Sequence, residues 1–170
     1  MAAPTFDVVI AGGGLAGSSL GGVLARSGLG VLVVEKESGF RDRIRGELTW
    51  PWGHSEALRV GLGEALDRAG VVTQPVLDFY DDRRRVDSVR WEEISIDALP
   101  AVAFSHPHLQ ETLLTWAASQ GATVLRPAKV VGVRDGNRPS VTVVEDGRTT
   151  EFQARLTVGA VATGISGRPA

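Results

Sequence analysis

The stretch TFDVVIAGGGLAGSSLGGVLARSGLGVLVVE at residues 5–35 decides the fold. Residues 5–11 form a short apolar run rich in β-branched side chains, the pattern of a parallel strand buried on both faces. Three glycines end it and open a helix. From Leu15 to Ser27 the positions Leu15, Leu20, Val23 and Leu24 recur at helical spacing, and Gly28 and Gly30 supply the stop before a second apolar run, VLVVE at 31–35. Strand, helix and strand within about 30 residues is the span of one right-handed βαβ unit.

Inside that unit, Gly12-Gly13-Gly14-Leu15-Ala16-Gly17 fits G-x-G-x-x-G at the junction of strand and helix. Gly12 permits a tight turn, Gly14 lets backbone N–H groups come close to a pyrophosphate, and Gly17 lets helix and strand pack closely. The helix dipole and the N–H groups of the first turn both favour an anion there. Glu35 closes the second strand 18 residues beyond Gly17, close to the offset of about 20 residues at which a carboxylate accepts both ribose hydroxyls of an adenosine. An acid there repels a 2′-phosphate. Taken alone the motif is a glycine-rich turn with a solvated glutamate; strand, helix and Glu35 in register point to a dinucleotide. The pattern serves NAD and FAD alike.

The 170 residues are 43% hydrophobic and 22% charged, with a formal net charge of −2, an ordinary globular composition. This balance gives no electrostatic reason to expect nucleic acid or an anionic membrane as partner, and it leaves a small molecule. Cysteine is absent, which excludes disulfides, thiolate metal sites and a cysteine nucleophile and is compatible with a reducing cytoplasm. Redox chemistry would have to come from a bound cofactor. The start, MAAPTFDVVIAGGG, shows no basic leader ahead of a long apolar run. Neither signal peptide nor membrane span is expected, and the expected location is cytoplasmic. The histidines His54, His106 and His108 lack acidic companions at ligand spacing, so no metal site is expected. His54 reads as packing or capping beside Trp50 and Trp52, and the other two as helix-start residues.

Beyond Glu35 the parallel winding stops. KESGFRDRIRGELTWPWG at 36–53 is polar, basic and broken by Gly and Pro. It predicts a long loop leading to a helix from about Pro51 to Leu62, with a second short helix near 63–69. VLDFYDD at 76–82 and VDSVRWEE at 86–93 read as an antiparallel hairpin turning through Arg83–Arg85. In HPHLQETLLTWAASQ at 106–120, Leu109, Leu113, Leu114, Trp116 and Ala117 form one helical stripe, with Pro107 at its start and Gly121 as its stop. ATVLRPAKVVGVRDG, SVTVVEDG and TTEFQARLTVGA then give the strands of a three-stranded meander that returns to a last apolar strand. The expected fold class is α/β, a Rossmann-like core with a parallel sheet plus an antiparallel hairpin and meander. An NAD domain would add further parallel βα units. The arginines just past the ribose strand, Arg41, Arg43 and Arg45, suit pyrophosphate or ribityl oxygens through forked hydrogen bonds.

Three segments in this order, VVIAGGGLAGSSLGGVLARSGLGVLVVEK, RIRGELTWPWG and HPHLQETLLTWAASQGATVLRPAKVVGV, resemble the FAD-binding part of the FAD-dependent monooxygenases of the aromatic-hydroxylase type. Related reductases and halogenases share that fold, and the resemblance covers nearly the whole chain. It implies that Gly12, Gly13, Gly14, Leu15, Ala16, Gly17, Glu35 and Lys36 hold the adenosine diphosphate part of FAD. It also implies that Arg45 reaches the cofactor from the loop, that Gln110 on the later helix assists, and that the Val130 backbone lies beside adenine. NADPH or NADH as transient reductant, dioxygen and a small-molecule substrate follow from the same resemblance; it assigns no catalytic residue here. Two other readings stand beside it, an NAD-dependent reductase and a catalytically silent flavoprotein fragment.

Relatives close this region with V-G-A-D-G-x-x-S, whereas here the text is Val158-Gly159-Ala160-Val161-Ala162-Thr163-Gly164-Ile165-Ser166. Val161-Ala162 stands where Asp-Gly is expected. Residues 1–160 are therefore expected to form the FAD-binding domain, incomplete beside the family. Residues 161–170 are expected to be a nonnative or disordered tail from a shifted reading frame or a truncated gene, and the chain to lack efficient monooxygenase turnover by itself.

Overall fold

The computed structural model describes residues 4–42, 47–136 and 139–161. In chain order it runs β1 (Thr5–Ala11), α1 (Leu15–Arg26), β2 (Val31–Val34), β3 (Leu48–Thr49), α2 (Pro51–Arg59), α3 (Gly63–Arg68), β4 (Val72–Gln74), β5 (Val76–Asp81), β6 (Arg84–Arg90), α4 (Trp91–Ile94), β7 (Ala101–Ala103), α5 (His106–Ser119), β8 (Thr123–Leu125), β9 (Ala128–Arg134), β10 (Ser140–Glu145) and β11 (Arg148–Gly159). Two compact units result: Met1–Phe40 with Gln110–Ala170, and Arg41–Leu109.

The first unit is built on a six-stranded sheet in the order β8-β2-β1-β11-β10-β9. The four strands β8, β2, β1 and β11 are parallel, and β11, β10 and β9 continue as an antiparallel meander. β1 is continuously apolar because successive side chains point to opposite faces and both faces are covered. Val8 and Ile10 join Val31, Val33, Leu114 and Ala117 on one side, and Val9 joins Leu32, Val34, Val141 and Val143 on the other. β11 has two neighbours in succession: residues 148–153 pair with β10, and residues 153–159 lie parallel to β1 from Thr5↔Gln153 to Ala11↔Gly159.

The stripe expected on α5 is buried as read, with Leu109, Leu113, Leu114, Trp116 and Ala117 all 4% exposed or less. On α1 the large apolar residues that mark the helix are not the buried ones. Its buried residues are Gly17, Ser18, Gly21 and Gly22, while Leu20 is 36% exposed. Close approach explains the difference: a Cβ on Gly21 would come within 2.7 Å of Val33 Cγ2, and one on Gly22 would overlap the Trp116 ring. Only small residues fit between this helix and its neighbours, and Leu24 and Ala25 pack at the margin of the core. Gly28, at φ +87°, ends α1 as expected: its N–H donates to Ala25 O and that of Leu29 to Leu24 O, satisfying the last carbonyls.

Three further boundaries differ from the sequence reading. The run from Ala122 to Gly136 divides between Leu125 and Ala128: β8 joins the parallel sheet beside β2 and only β9 enters the meander. In the second unit, Leu48–Thr49 leaves the expected loop to pair with β7, which also pairs with β4. The hairpin β5–β6 forms with Asp82 and Arg83 at positive φ, but its second strand stops at Arg90. Trp91 opens α4 instead, donating its N–H to Pro75 O at 3.1 Å and packing its ring edge-on to Trp50 at 5.4 Å. Among the described residues no helix is long and apolar enough to cross a membrane.

Candidate dinucleotide site

Strand order reverses around β1: β2 follows it in sequence on one side, and β11 joins from far along the chain on the other. In open α/β sheets the crevice at such a switch point, beyond the carboxyl ends of the strands, is where ligands bind. The glycine turn occupies that place. Gly12 donates its N–H to Val34 O and Ala160 donates to Ala11 O, both at 2.8 Å, tying the turn to the strands on either side.

The four glycines answer different demands. Gly12 has φ +110° and a Cβ there would stand 2.5 Å from Ala160 O. On Gly17 it would overlap the Gly12 carbonyl oxygen, and on Gly13 it would meet Glu35 Cβ at 2.9 Å and Leu114 Cδ1 at 3.1 Å. Gly14 differs, with φ −71° and an added Cβ meeting only Gln110 Nε2 at 3.5 Å, an ordinary contact. The polypeptide has no need of glycine at 14. A ligand pressed against the backbone has one.

Behind the turn, Ser18 is fully buried and its hydroxyl donates to Gly13 O at 2.7 Å, fixing that peptide. Gly14 gives α1 no side-chain cap, and the first turn carries no acid. The N–H groups there have no intrahelical acceptor, which suits an anion. Glu35 is 5% exposed; its Oε2 accepts from Gly13 N–H at 2.7 Å and its Oε1 from Glu37 N–H at 2.8 Å. A buried carboxylate requires such donors, and each oxygen keeps a further lone pair for a hydroxyl.

The sequence matches the FAD binding domain family over residues 5–164. The chain belongs to that family. Squalene monooxygenase of Mus musculus is 28% identical over 165 residues, covering 94% of this chain and 28% of that protein. Of solved structures, a flavoprotein/dehydrogenase from Cytophaga hutchinsonii superposes with a TM-score of 0.82 at 22% identity, covering 92% of this chain and 39% of that one. p-Nitrophenol 4-monooxygenase from Pseudomonas putida gives 0.81 at 18% identity, covering 92% and 41%. This chain thus spans 28–41% of the length of these proteins. Its largely parallel sheet with antiparallel strands is the fold of these solved structures, and the chain is an FAD binding domain.

For this FAD-binding domain the geometry fits the cofactor's diphosphate: a cradle at Gly14 that a Cβ would fill, at an uncapped helix start beside a buried acid. The fold gathers Gly12 to Gly17, Glu35 and Gln110. Val130 follows two residues after Ala128, whose N–H donates to Glu35 O at 2.8 Å. Pairing shifts there from Thr142↔Gly132 to Val143↔Val130, leaving Val131 as the extra residue of a bulge. Lys36 stands outward with its side chain 59% exposed, 3.8 Å from Glu37. Arg45 and the tail from Ala162 to Ala170 lie outside the described residues. His54 Nδ1 is 3.0 Å from Pro100 O, and His106 Nδ1 is buried with no hydrogen-bond partner among the described residues. No group of three or more His, Asp or Glu among the described residues is placed to share a metal ion.

Sequence reasoning missed one cluster at this end of the FAD-binding domain. Arg126 Nη1 and Nη2 donate to Glu111 Oε2 and Oε1 at 2.6 and 2.8 Å, and Arg126 Nε donates to Glu37 O at 2.6 Å. Phe40 N–H also donates to Glu111, at 3.0 Å. The Arg126 hydrogen bonds hold the Glu111 carboxyl below the usual glutamate range, against partial desolvation and with help from Phe40. Nothing in the spacing of an acid on a helix and an arginine before a proline pairs them in advance.

Proposed function

We propose that this FAD-binding domain holds its cofactor by the adenosine diphosphate half at the glycine turn. It serves a hydroxylase that takes electrons from NADPH or NADH, uses dioxygen and acts on a small-molecule substrate, with a cytoplasmic site of action. The observation that carries the proposal is Gly14, a glycine the protein's own packing does not require at the start of α1. Backbone N–H groups of Gly14, Leu15 and Ala16 take the pyrophosphate, Gly12, Gly13 and Gly17 shape the turn, and Glu35 accepts the ribose hydroxyls. Gln110, across from Gly14, adds a side-chain contact, the Val130 backbone lies beside adenine, and Lys36 and Arg45 contribute positive charge. When bound, FAD supplies the electron transfer and the oxygen chemistry. The residues of this chain bind and orient it.

Monooxygenation is supported by what the relatives are, a squalene monooxygenase and a p-nitrophenol 4-monooxygenase. FAD is favoured over NAD because the antiparallel strands β9 and β10 lie beyond β11, where an NAD domain would continue with parallel βα units. The test is a titration of the purified chain with FAD, following flavin fluorescence, with NAD as comparison ligand. Saturable binding selective for FAD is expected; a folded protein that takes NAD and leaves FAD unbound would refute the assignment.

A further inference from the structure

We propose that Arg126 and Glu111 are positioning residues for the cofactor, holding the short turn that aims the Glu35 carboxylate and so setting affinity for the adenosine half. This rests on the assignment of Glu35 to the ribose made above.

The connection runs through successive contacts. Glu35 is held from two sides, by Gly13 N–H within the glycine turn and by Glu37 N–H two residues along its own chain. The first donor is fixed by β1 and the Ser18 bond to Gly13. The second lies past the end of β2. There Arg126 Nε takes the Glu37 carbonyl, and the forked end of the same guanidinium takes both oxygens of Glu111. Glu111 in turn accepts from Phe40 N–H, and the guanidinium lies over the Phe40 ring at 4.4 Å. Arg126 and Glu111 thereby tie Glu37 and Phe40 to α5 and the β8–β9 corner.

Arginine is the side chain this arrangement demands. A planar guanidinium can bind a carboxylate with one edge while its Nε donates elsewhere, whereas an ammonium cannot make all three bonds in these directions. The Arg126 side chain is 15% exposed, so the contact is not an ordinary surface ion pair of negligible strength. Backbone bonds on both sides, Glu35 N–H to Leu125 O at 2.9 Å and Ala128 N–H to Glu35 O at 2.8 Å, seat Arg126 directly beside the residue it serves. A change at Arg126 therefore has a path to the Glu35 carboxylate through Glu37.

The experiment uses the full chain and the variants Arg126→Ala, Arg126→Lys and Glu111→Gln. Arg155→Ala serves as control; it removes an exposed ion pair to Asp7 at 3.0 Å elsewhere on the same unit. Each protein is titrated with FAD and with ADP and melted thermally. The wild-type titration is read first and by itself decides whether FAD binds; a wild type that binds neither ligand removes this proposal together with the one it rests on. Given binding, Arg126→Ala should weaken FAD and ADP alike by about tenfold, equivalent to about 1.4 kcal/mol. Arg126→Lys and Glu111→Gln should weaken both by less, and Arg155→Ala should leave both unchanged. If Arg126→Ala does not fold, the two milder variants decide. Folded variants that lose thermal stability but keep wild-type affinity would overturn the proposal, as would a loss for FAD that ADP does not share.

Discussion

The α-carbon of Gly17 lies so close to the carbonyl oxygen of Gly12 that an added methyl group would overlap it. The Gly17→Ala variant must push α1 away from the end of β1, an overpacking cost of about 1–3 kcal/mol. For a chain of this size that lowers the melting midpoint by roughly 2–12 °C. The Gly14→Ala variant meets only Gln110 Nε2 at 3.5 Å and should melt close to wild type. Its FAD affinity should nevertheless fall at least about tenfold, because the methyl group occupies the approach to the helix start. Thermal melts and FAD titrations on the pair separate the two roles, and wild-type affinity in Gly14→Ala would remove the ligand from position 14.

Glu35 accepts one backbone N–H on each oxygen. In Glu35→Gln one of those donors faces an amide NH2, a buried clash of like groups costing about 1–3 kcal/mol. Urea unfolding should register that loss. The FAD titration should register a further loss that a flavin mononucleotide titration does not share, since the mononucleotide has no adenosine ribose.

Trp116 is 3% exposed and its ring fills the space over Gly22, with the Arg26 guanidinium 5.9 Å from the ring centroid. Trp116→Ala should destabilise the first unit by about 3–5 kcal/mol. Gly22→Ala should displace the ring, visible as a change in tryptophan emission and a lower unfolding midpoint in urea.

Glu111 titrates lower in the folded protein than its ordinary value, chiefly through Arg126. A depressed folded pKa means that the pair's contribution is complete above the unfolded glutamate value of about 4.3 and is lost as pH falls below it through the folded value. Asp7, lowered by the Gly30 N–H and by Arg155, adds an acid dependence of its own. The difference between wild type and Glu111→Gln isolates Glu111: the wild-type melting midpoint should fall more steeply below about pH 4.3, and added salt should shrink the difference because Glu111 is partly exposed. Parallel slopes would contradict the pairing.

The mixed α/β fold was legible because its decisive signals are local. Gly12 to Gly17, the apolar run of β1, the glycine stop at Gly28 and the α5 stripe each follow from neighbouring residues and a fixed period. What escaped notice depends on proximity between distant segments. The small residues Gly17, Ser18, Gly21 and Gly22 also repeat at helical spacing, and that stripe was available as a sign of close packing. The large apolar residues Leu15, Leu20, Val23 and Leu24 mark the helix and not its buried face. The bonds joining Arg126 to Glu37 and Glu111 carry no signature, since their spacing in sequence reflects only the length of the α5–β8–β9 connection. Trp91 leaves its expected strand for the same kind of reason: burial against Trp50 overrides a weak local preference.

The register that sets residues 153–159 beside Thr5–Ala11 also orders events in time. A ribosome releases β1, the glycine turn and α1 before β11, so one side of β1 has no partner until β11 has been made. Until β11 is made an apolar strand therefore waits with an open edge, a state prone to wrong pairing until distant segments meet. Contacts of such long range are slow to form from an unfolded chain as well. The turn proposed to hold the cofactor is thus synthesised well before the segment that forms its second wall.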